Sequence, residues 1–262
     1  MDLKLKGRRV LVTGGSKGIG RACAAAFVEE GATVMIAARD PNTLATAAEA
    51  IGGDTRFRAT DLSVRGEAEK LADWAGDIDI LVNNAGAIPG GDLQKVDEET
   101  WRKAWDLKVF GYINLTRAVY ARMKARHASA GTREATGVIV NVLGAAGERL
   151  NPAYITGTTG NAGLYAFTRA LGGSSPADGI RVLGLSPGPV ETERLTSLNK
   201  QIAATKFGDP SRYRDLFKEM SFGRPATPEE IAAAVVFLAS PLSAYTTGCV
   251  LTVDGGTSQR WS

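Results

Sequence analysis

Short apolar runs alternate along the whole chain with longer stretches in which apolar residues recur every three or four positions. The runs 8–14 (RRVLVTG), 33–39 (TVMIAAR), 56–60 (RFRAT), 77–84 (DIDILVNN), 137–144 (GVIVNVLG), 179–186 (GIRVLGLS) and 248–255 (GCVLTVDG) read as β-strands. Several are apolar without alternation, the pattern of strands covered on both faces. Helical patterns lie between them, near 18–30, 41–51, 63–75, 97–126, 153–172 and 228–240. This alternation predicts right-handed βαβ units and a doubly wound α/β fold with a parallel sheet. No repeat, low-complexity segment or linker interrupts it, so residues 1–262 read as one domain. Two segments stand outside the rhythm. Ala128–Thr136 reads as a polar loop, and the charged stretch Glu193–Pro228 is longer than a connection needs. The second is expected to be a mobile cover over a substrate site.

Composition narrows the function more than the fold. Apolar residues make up 44% of the chain and charged ones 23%, which suits a single large core. Lys and Arg number 31 against 28 Asp and Glu, for a net charge of +3 without a dense basic run. Nucleic acid is therefore not an expected partner. No stretch approaches the roughly 18 apolar residues of a membrane span, and the first residues lack the apolar region of a signal peptide. A cytoplasmic protein is expected. Cys23 and Cys249 read as reduced, buried thiols, and no metal site is expected.

The first strand runs into VLVTGGSKGIGRACAAAF, a strand–glycine turn–helix unit. Gly14, Gly18 and Gly20 permit a tight turn, close approach of backbone to a phosphate, and close helix–strand packing. The helix start offers unpaired N–H groups and positive potential to a diphosphate, with Ser16, Lys17 and Ile19 beside it. The spacing is G-x-x-x-G-x-G, unlike the G-x-G-x-x-G dinucleotide fingerprint. At the end of the second strand an acidic residue favours NAD, whereas arginine accommodates the extra phosphate of NADP. Here Ala38 is followed by Arg39 and Asp40. Asp40 before Pro41 has the signature of a helix N-cap, leaving Arg39 with Lys17 as a phosphate clamp. NADP is the expected cofactor.

T-G-x-x-x-G-I-G at 13–20, Asp61 after the third strand, N-N-A-G at 83–86, P-G at 187–188 and V-D-G-G at 253–256 together resemble the short-chain dehydrogenase/reductase family over essentially the whole chain. The resemblance implies a single Rossmann domain with a seven-stranded parallel sheet, a nicotinamide cofactor, and a homodimer or homotetramer built on the two long helices. It further implies that Asp61 and Leu62 flank the adenine and that Asn83, Ala85 and Gly86 line the adenosine ribose. Pro187, Gly188, Val190 and Thr192 would hold the nicotinamide end.

The same resemblance fails at the four residues the family uses for chemistry: an Asn, a carbonyl-polarising Ser, a proton-donating Tyr and a ribose-binding Lys. Gly144 stands at the Ser, Gly157 at the Tyr, Asn161 at the Lys, and Lys108 at the Asn. Trp101, Trp105, Lys108, Tyr112, Leu115 and Val119 follow helical spacing, so Lys108 interrupts a mostly apolar stripe. A lysine there is costly unless it snorkels to solvent or has a partner. One reading is an exchange between helices, with Lys108 supplying the ammonium and Asn161 standing at the ribose; the other has Lys108 reaching solvent. Tyr154, three residues before Gly157, and Glu148, after the fifth strand, are the candidate replacement proton donors. Without the tyrosine ring at 157, space is expected beside the nicotinamide.

The leading expectation is an NADP-dependent oxidoreductase with an atypical active site, acting on a small carbonyl or alcohol. A non-catalytic NADP-binding sensor or partner-binding protein is the alternative, and lyase or isomerase chemistry with a retained cofactor is a third.

Overall fold

The computed structural model describes residues 1–132 and 134–260. Seven strands form one parallel sheet: β1 (Arg9–Thr13), β2 (Thr33–Ala38), β3 (Arg56–Ala59), β4 (Ile80–Asn83), β5 (Gly137–Val142), β6 (Ile180–Pro187) and β7 (Val250–Val253). Their order is β3-β2-β1-β4-β5-β6-β7, with every pairing parallel. The direction of winding reverses between β1 and β4, where the carboxyl ends of neighbouring strands open a crevice.

Helices cover both faces. The connections run through α1 (Gly18–Glu29), α2 (Pro41–Ile51), α3 (Glu67–Ala75), α4 (Glu98–Trp105), α5 (Gly111–Ala130), α6 (Ile155–Ser174), α7 (Glu193–Phe207) and α8 (Pro228–Ala239). Phe27, Leu44, Ile231 and Val235 pack with Val10, Val12 and Ile36 on one face. Leu71, Leu115, Val119 and Met123 pack with Leu11, Leu81 and Ile139 on the other. Strands such as β5 and β6 are buried along their full length, which is why their sequences do not alternate.

The expected elements are present, with three differences. α5 continues to Ala130, so the polar loop is shorter than its composition suggests. The charged stretch after β6 carries α7, which packs against a 3-10 segment at Pro210–Glu219. Between α4 and α5 the chain makes one π-helical turn, Asp106–Phe110. Such a turn holds an extra residue and turns the following side chains relative to a regular helix. It places Lys108 inward, 7% exposed, while Val109 and Trp105 lie against Gly160 of α6. A Cβ on Gly160 would stand 3.2 Å from both Trp105 Nε1 and Val109 Cγ2, so that glycine permits close helix packing. Gly163, in contrast, faces open space.

Candidate active site

Two cavities meet at the carboxyl edge of the sheet. The larger, about 1090 Å³, is a trench running from Arg39 and Thr43 past the glycine turn to Lys108 and Pro187. The glycine turn forms its floor because Gly14 and Gly18 have φ of +65° and +51°, where other L-residues are strained. A Cβ on Gly20 would lie 2.2 Å from the Gly14 carbonyl, so only glycine lets α1 begin so close to the loop. Lys17 is the N-cap of α1, and no side chain caps this helix start. Its first N–H groups are therefore available to an anion.

Of the residues expected to hold a cofactor, Gly14, Ser16, Lys17, Gly18, Ile19, Arg39, Leu62, Ala85, Gly86, Lys108, Pro187 and Thr192 line this trench. Gly188 and Asn161 line the second cavity instead. Gly20 acts through packing, as above. Asp61 turns its carboxylate onto the N–H and hydroxyl of Ser63, at 3.0 and 2.7 Å, and lies outside the trench wall. Val190 is buried and bridges to Ala226.

Asn83 is also off the wall, and Asn84 takes its place there. The reason is the pleat. Asn83 is the last residue of β4, fully buried, and its Nδ2 donates to Thr116 Oγ1 at 3.0 Å and to Asn141 Oδ1 at 2.9 Å. Asn84 leaves the strand, donates to the Thr13 carbonyl at 3.1 Å and faces the trench. Thr13 Oγ1 accepts the N–H groups of Asn84 and Ala85, at 2.9 and 3.1 Å, locking the two strand ends together.

Asp40 behaves as a helix cap: its carboxylate accepts the Thr43 N–H at 2.7 Å, and this bond holds its pKa below the usual value. Lys17 is engaged by a carboxylate instead, with its Nζ 3.0 Å from Glu193 Oε2 across the trench. The two-point clamp is thus not assembled in this structure, although both side chains line the trench.

The second cavity, about 740 Å³, shares Gly86, Lys108, Leu143, Pro187 and Arg194 with the first. Lys108 sits at the junction. Its Nζ donates to Tyr112 Oη and to the Val142 carbonyl, each at 2.7 Å, while Tyr112 Oη donates to the same carbonyl at 2.8 Å. Its aliphatic stem passes over Gly86, where a Cβ would lie 2.6 Å from Lys108 Cδ. The solvent-reaching alternative for Lys108 does not hold. Burial, with the charge of Arg194 as a smaller cause, pulls its ammonium down to about 7. Tyr112 is fully buried and its phenol is held neutral, well above the usual value, by desolvation.

The space expected at Gly157 is filled. Tyr154, the N-cap of α6, lays its ring on that glycine: a Cβ there would lie 2.0 Å from Tyr154 Cε1 and 2.1 Å from Cζ. Tyr154 lines the second cavity, so the aromatic wall comes from three residues earlier in the chain. Asn161 leans toward Gly144, whose Cβ would lie 3.3 Å from Asn161 Nδ2. That Nδ2 donates to the Gly157 carbonyl at 2.8 Å, whereas Oδ1 is buried without a partner. Glu148 lines neither cavity; it lies 3.4 Å from Arg169 and accepts from Thr252 Oγ1 at 3.1 Å. It is thereby removed from the proton-donor candidates.

Arg149 and Arg194 line the second cavity and were not singled out from the sequence. Each stands beside a glutamate, at Glu148 and Glu193, so the sequence reads as local charge compensation.

Comparison with known proteins decides the family. A family model described as enoyl-(acyl carrier protein) reductase matches residues 14–258. The chain is 34% identical to a 3-oxoacyl-(acyl-carrier-protein) reductase of Chlamydia pneumoniae, over 98% of this chain and 99% of that one. The chain belongs to the short-chain dehydrogenase/reductase family. Within it, the chain is 32% identical to a galactitol 2-dehydrogenase (L-tagatose-forming) of Cereibacter sphaeroides, covering 97% and 96% of the two chains. A solved short-chain dehydrogenase/reductase family protein, 35% identical, superimposes with a TM-score of 0.85 over 99% of this chain and all of the other. The L-sorbose reductase of Gluconobacter frateurii, solved with NADPH and L-sorbose, is 28% identical with a TM-score of 0.88 over the whole of both chains. The fold is thus that of a short-chain dehydrogenase/reductase oxidoreductase. Among the described residues, no helix is long and apolar enough to cross a membrane.

Proposed function

We propose that this chain is an NADP-dependent oxidoreductase of small carbonyl or alcohol substrates, in which Lys108 carries the proton. The supporting observation is the Lys108 amine itself: buried, shared by both cavities, and brought to about 7. An ammonium has three protons. Two are held by Tyr112 Oη and the Val142 carbonyl, and the third has no protein acceptor among the described residues. Poised near neutrality, Nζ can give that proton to a carbonyl oxygen in the second cavity or take one from an alcohol, an effect worth roughly 10² to 10⁴ in rate.

The trench suits a dinucleotide. Its uncapped helix start, its glycine floor and the basic Lys17 and Arg39 match a diphosphate and a ribose phosphate. With Asp40 engaged as a cap, Arg39 is the charged residue free to read the adenosine ribose. Asn161, which lines the second cavity, keeps an unpartnered acceptor at its buried Oδ1. When bound, the nicotinamide supplies or accepts the hydride. Tyr154 closes the cavity over Gly157, and Leu143 and Pro187 add apolar walls. The atypical site is therefore read as a rebuilt one, with the ammonium moved to the π-helical turn before α5. A cytoplasmic homo-oligomer is part of this reading, and light scattering would check the oligomeric state.

Titration of the protein with NADPH and NADH tests the cofactor. NADPH is expected to bind about tenfold or more tightly, and Arg39→Ala to erase the difference. Stopped-flow mixing of the NADPH complex with a panel of aldehydes and ketones tests catalysis. Absorbance loss with any member supports the enzyme; tight binding of both redox forms without turnover supports the sensor reading.

A further inference from the structure

The second cavity carries a charge imbalance unlike the rest of the molecule. Lys and Arg barely exceed Asp and Glu over the chain, yet the charged residues lining this cavity are Lys108, Arg149 and Arg194, with no carboxylate among them. Two acids stand next to the arginines in sequence, and both point elsewhere. Glu148 turns to Arg169 and Thr252, and Glu193 turns to Lys17. Among the described residues neither Arg149 nor Arg194 is ion-paired; Arg194 donates only to the Ile88 carbonyl. Arg149, Arg194 and the charged form of Lys108 repel each other across one cavity; Arg149 retains its planar donor fork, and Arg194 all of it but the N–H given to Ile88, to match an oxyanion.

We infer that the second cavity binds a substrate carrying an oxyanion, a carboxylate or a phosphate, next to its carbonyl or hydroxyl, with Arg149 and Arg194 as the residues that select it. This rests on the proposed function for the role of Lys108, but the charge recognition stands on the cavity lining alone. Arg149 lines only this cavity, so it acts on substrate; Arg194 also lines the trench and can touch cofactor and substrate together. The arrangement also links binding to chemistry. Arg194 disfavours the charged form of Lys108, and an oxyanion between them offsets that repulsion, so the substrate itself favours the ammonium that protonates its carbonyl.

The test is a binding titration on protein saturated with NADP⁺, which fills the trench and permits no carbonyl reduction. Three probes are compared: 2-oxobutanoate, dihydroxyacetone phosphate, and the uncharged 2-oxobutanamide. The better of the two charged probes is expected to bind about 10- to 100-fold more tightly than the amide, and its identity assigns the carboxylate or phosphate class. Arg149→Gln and Arg194→Gln are each expected to remove most of this advantage, with Arg149→Lys restoring part of it. Equal binding of charged and neutral probes, or an unchanged ratio in both glutamine variants, would overturn the inference. If NADP⁺ itself fails to bind, the proposed function fails instead. The same three-probe comparison on the cofactor-free chain then decides the oxyanion site separately.

Discussion

Among the described residues two cations are buried, and they are held in opposite ways. Arg181, at the start of β6, is 4% exposed, and its guanidinium donates to the carbonyls of Leu238, Ala239, Ser240 and Thr246, at 2.8 to 3.2 Å. It closes the carboxyl end of α8, where the last carbonyls of a helix lack partners and a cation is favoured. Desolvation lowers it only to about 10, so it stays charged at any ordinary pH. Lys108 is buried to a similar degree but has two acceptors, a phenol and a carbonyl that also serve each other. It faces two cavities rather than a helix end. The lesson is that burial alone does not mark a functional charge. An incompletely satisfied charge beside open space does.

The largest expected effect separates the two sites directly. Lys108→Met should lower kcat by roughly 10² to 10⁴ while making the protein more stable. The sign follows from the folded value near 7 against 10.5 for a free lysine. Between those values the unfolded chain holds the proton and the folded chain does not, so wild-type stability rises with pH. The stabilisation by methionine is accordingly greatest below pH 7 and fades toward pH 10.5, as thermal melts across that range would show.

Arg181→Leu should do the reverse. Leaving the α8 carbonyls without their donor is expected to cost about 3–5 kcal/mol in urea unfolding, with NADPH affinity of the folded fraction unchanged. Weakened cofactor binding without lost stability would contradict the structural role.

Smaller changes sharpen the picture at Lys108. Gly157→Ala places a methyl group where the Tyr154 ring lies, and displacing that ring should cost about 1–3 kcal/mol in stability or substrate affinity. Crystallography of the variant would show the ring moved. Tyr112→Phe removes an acceptor that favours the ammonium, so the pH midpoint of reduction should fall, by about one unit or less. The Val142 carbonyl keeps Lys108 as a donor in that variant, and folding should survive.

The centre of the sheet was legible because β4, β5 and β6 are buried throughout and β1 and β2 nearly so, with mostly apolar runs; the edge strands β3 and β7 are more exposed and were read from their β-rich composition. α7 was not, because its helically spaced apolar positions, Leu195, Leu198 and Ile202, are few among polar neighbours, and the last two are exposed. Lys108 could be found because a charge interrupted such a stripe, but the π-helical turn that directs it inward leaves no mark in helical spacing. Asn83 and Asn84 show the limit of motif reading: adjacent and identical in type, they are assigned by the strand's end to the core and to the trench. Arg149 and Arg194 show it more sharply. Which member of each Glu–Arg pair turns inward is set by Arg169, Thr252 and Lys17, residues distant in sequence.

The chemistry proposed for this site turns on the ionisation of one amine. Lysine side chains labelled with ¹³C at Cε can be titrated by NMR in wild type and in Lys108→Met, without knowledge of the substrate. One lysine resonance with a midpoint near pH 7, absent from the variant, is the expected result. A wild-type protein in which no lysine titrates below about pH 9.5 would contradict it.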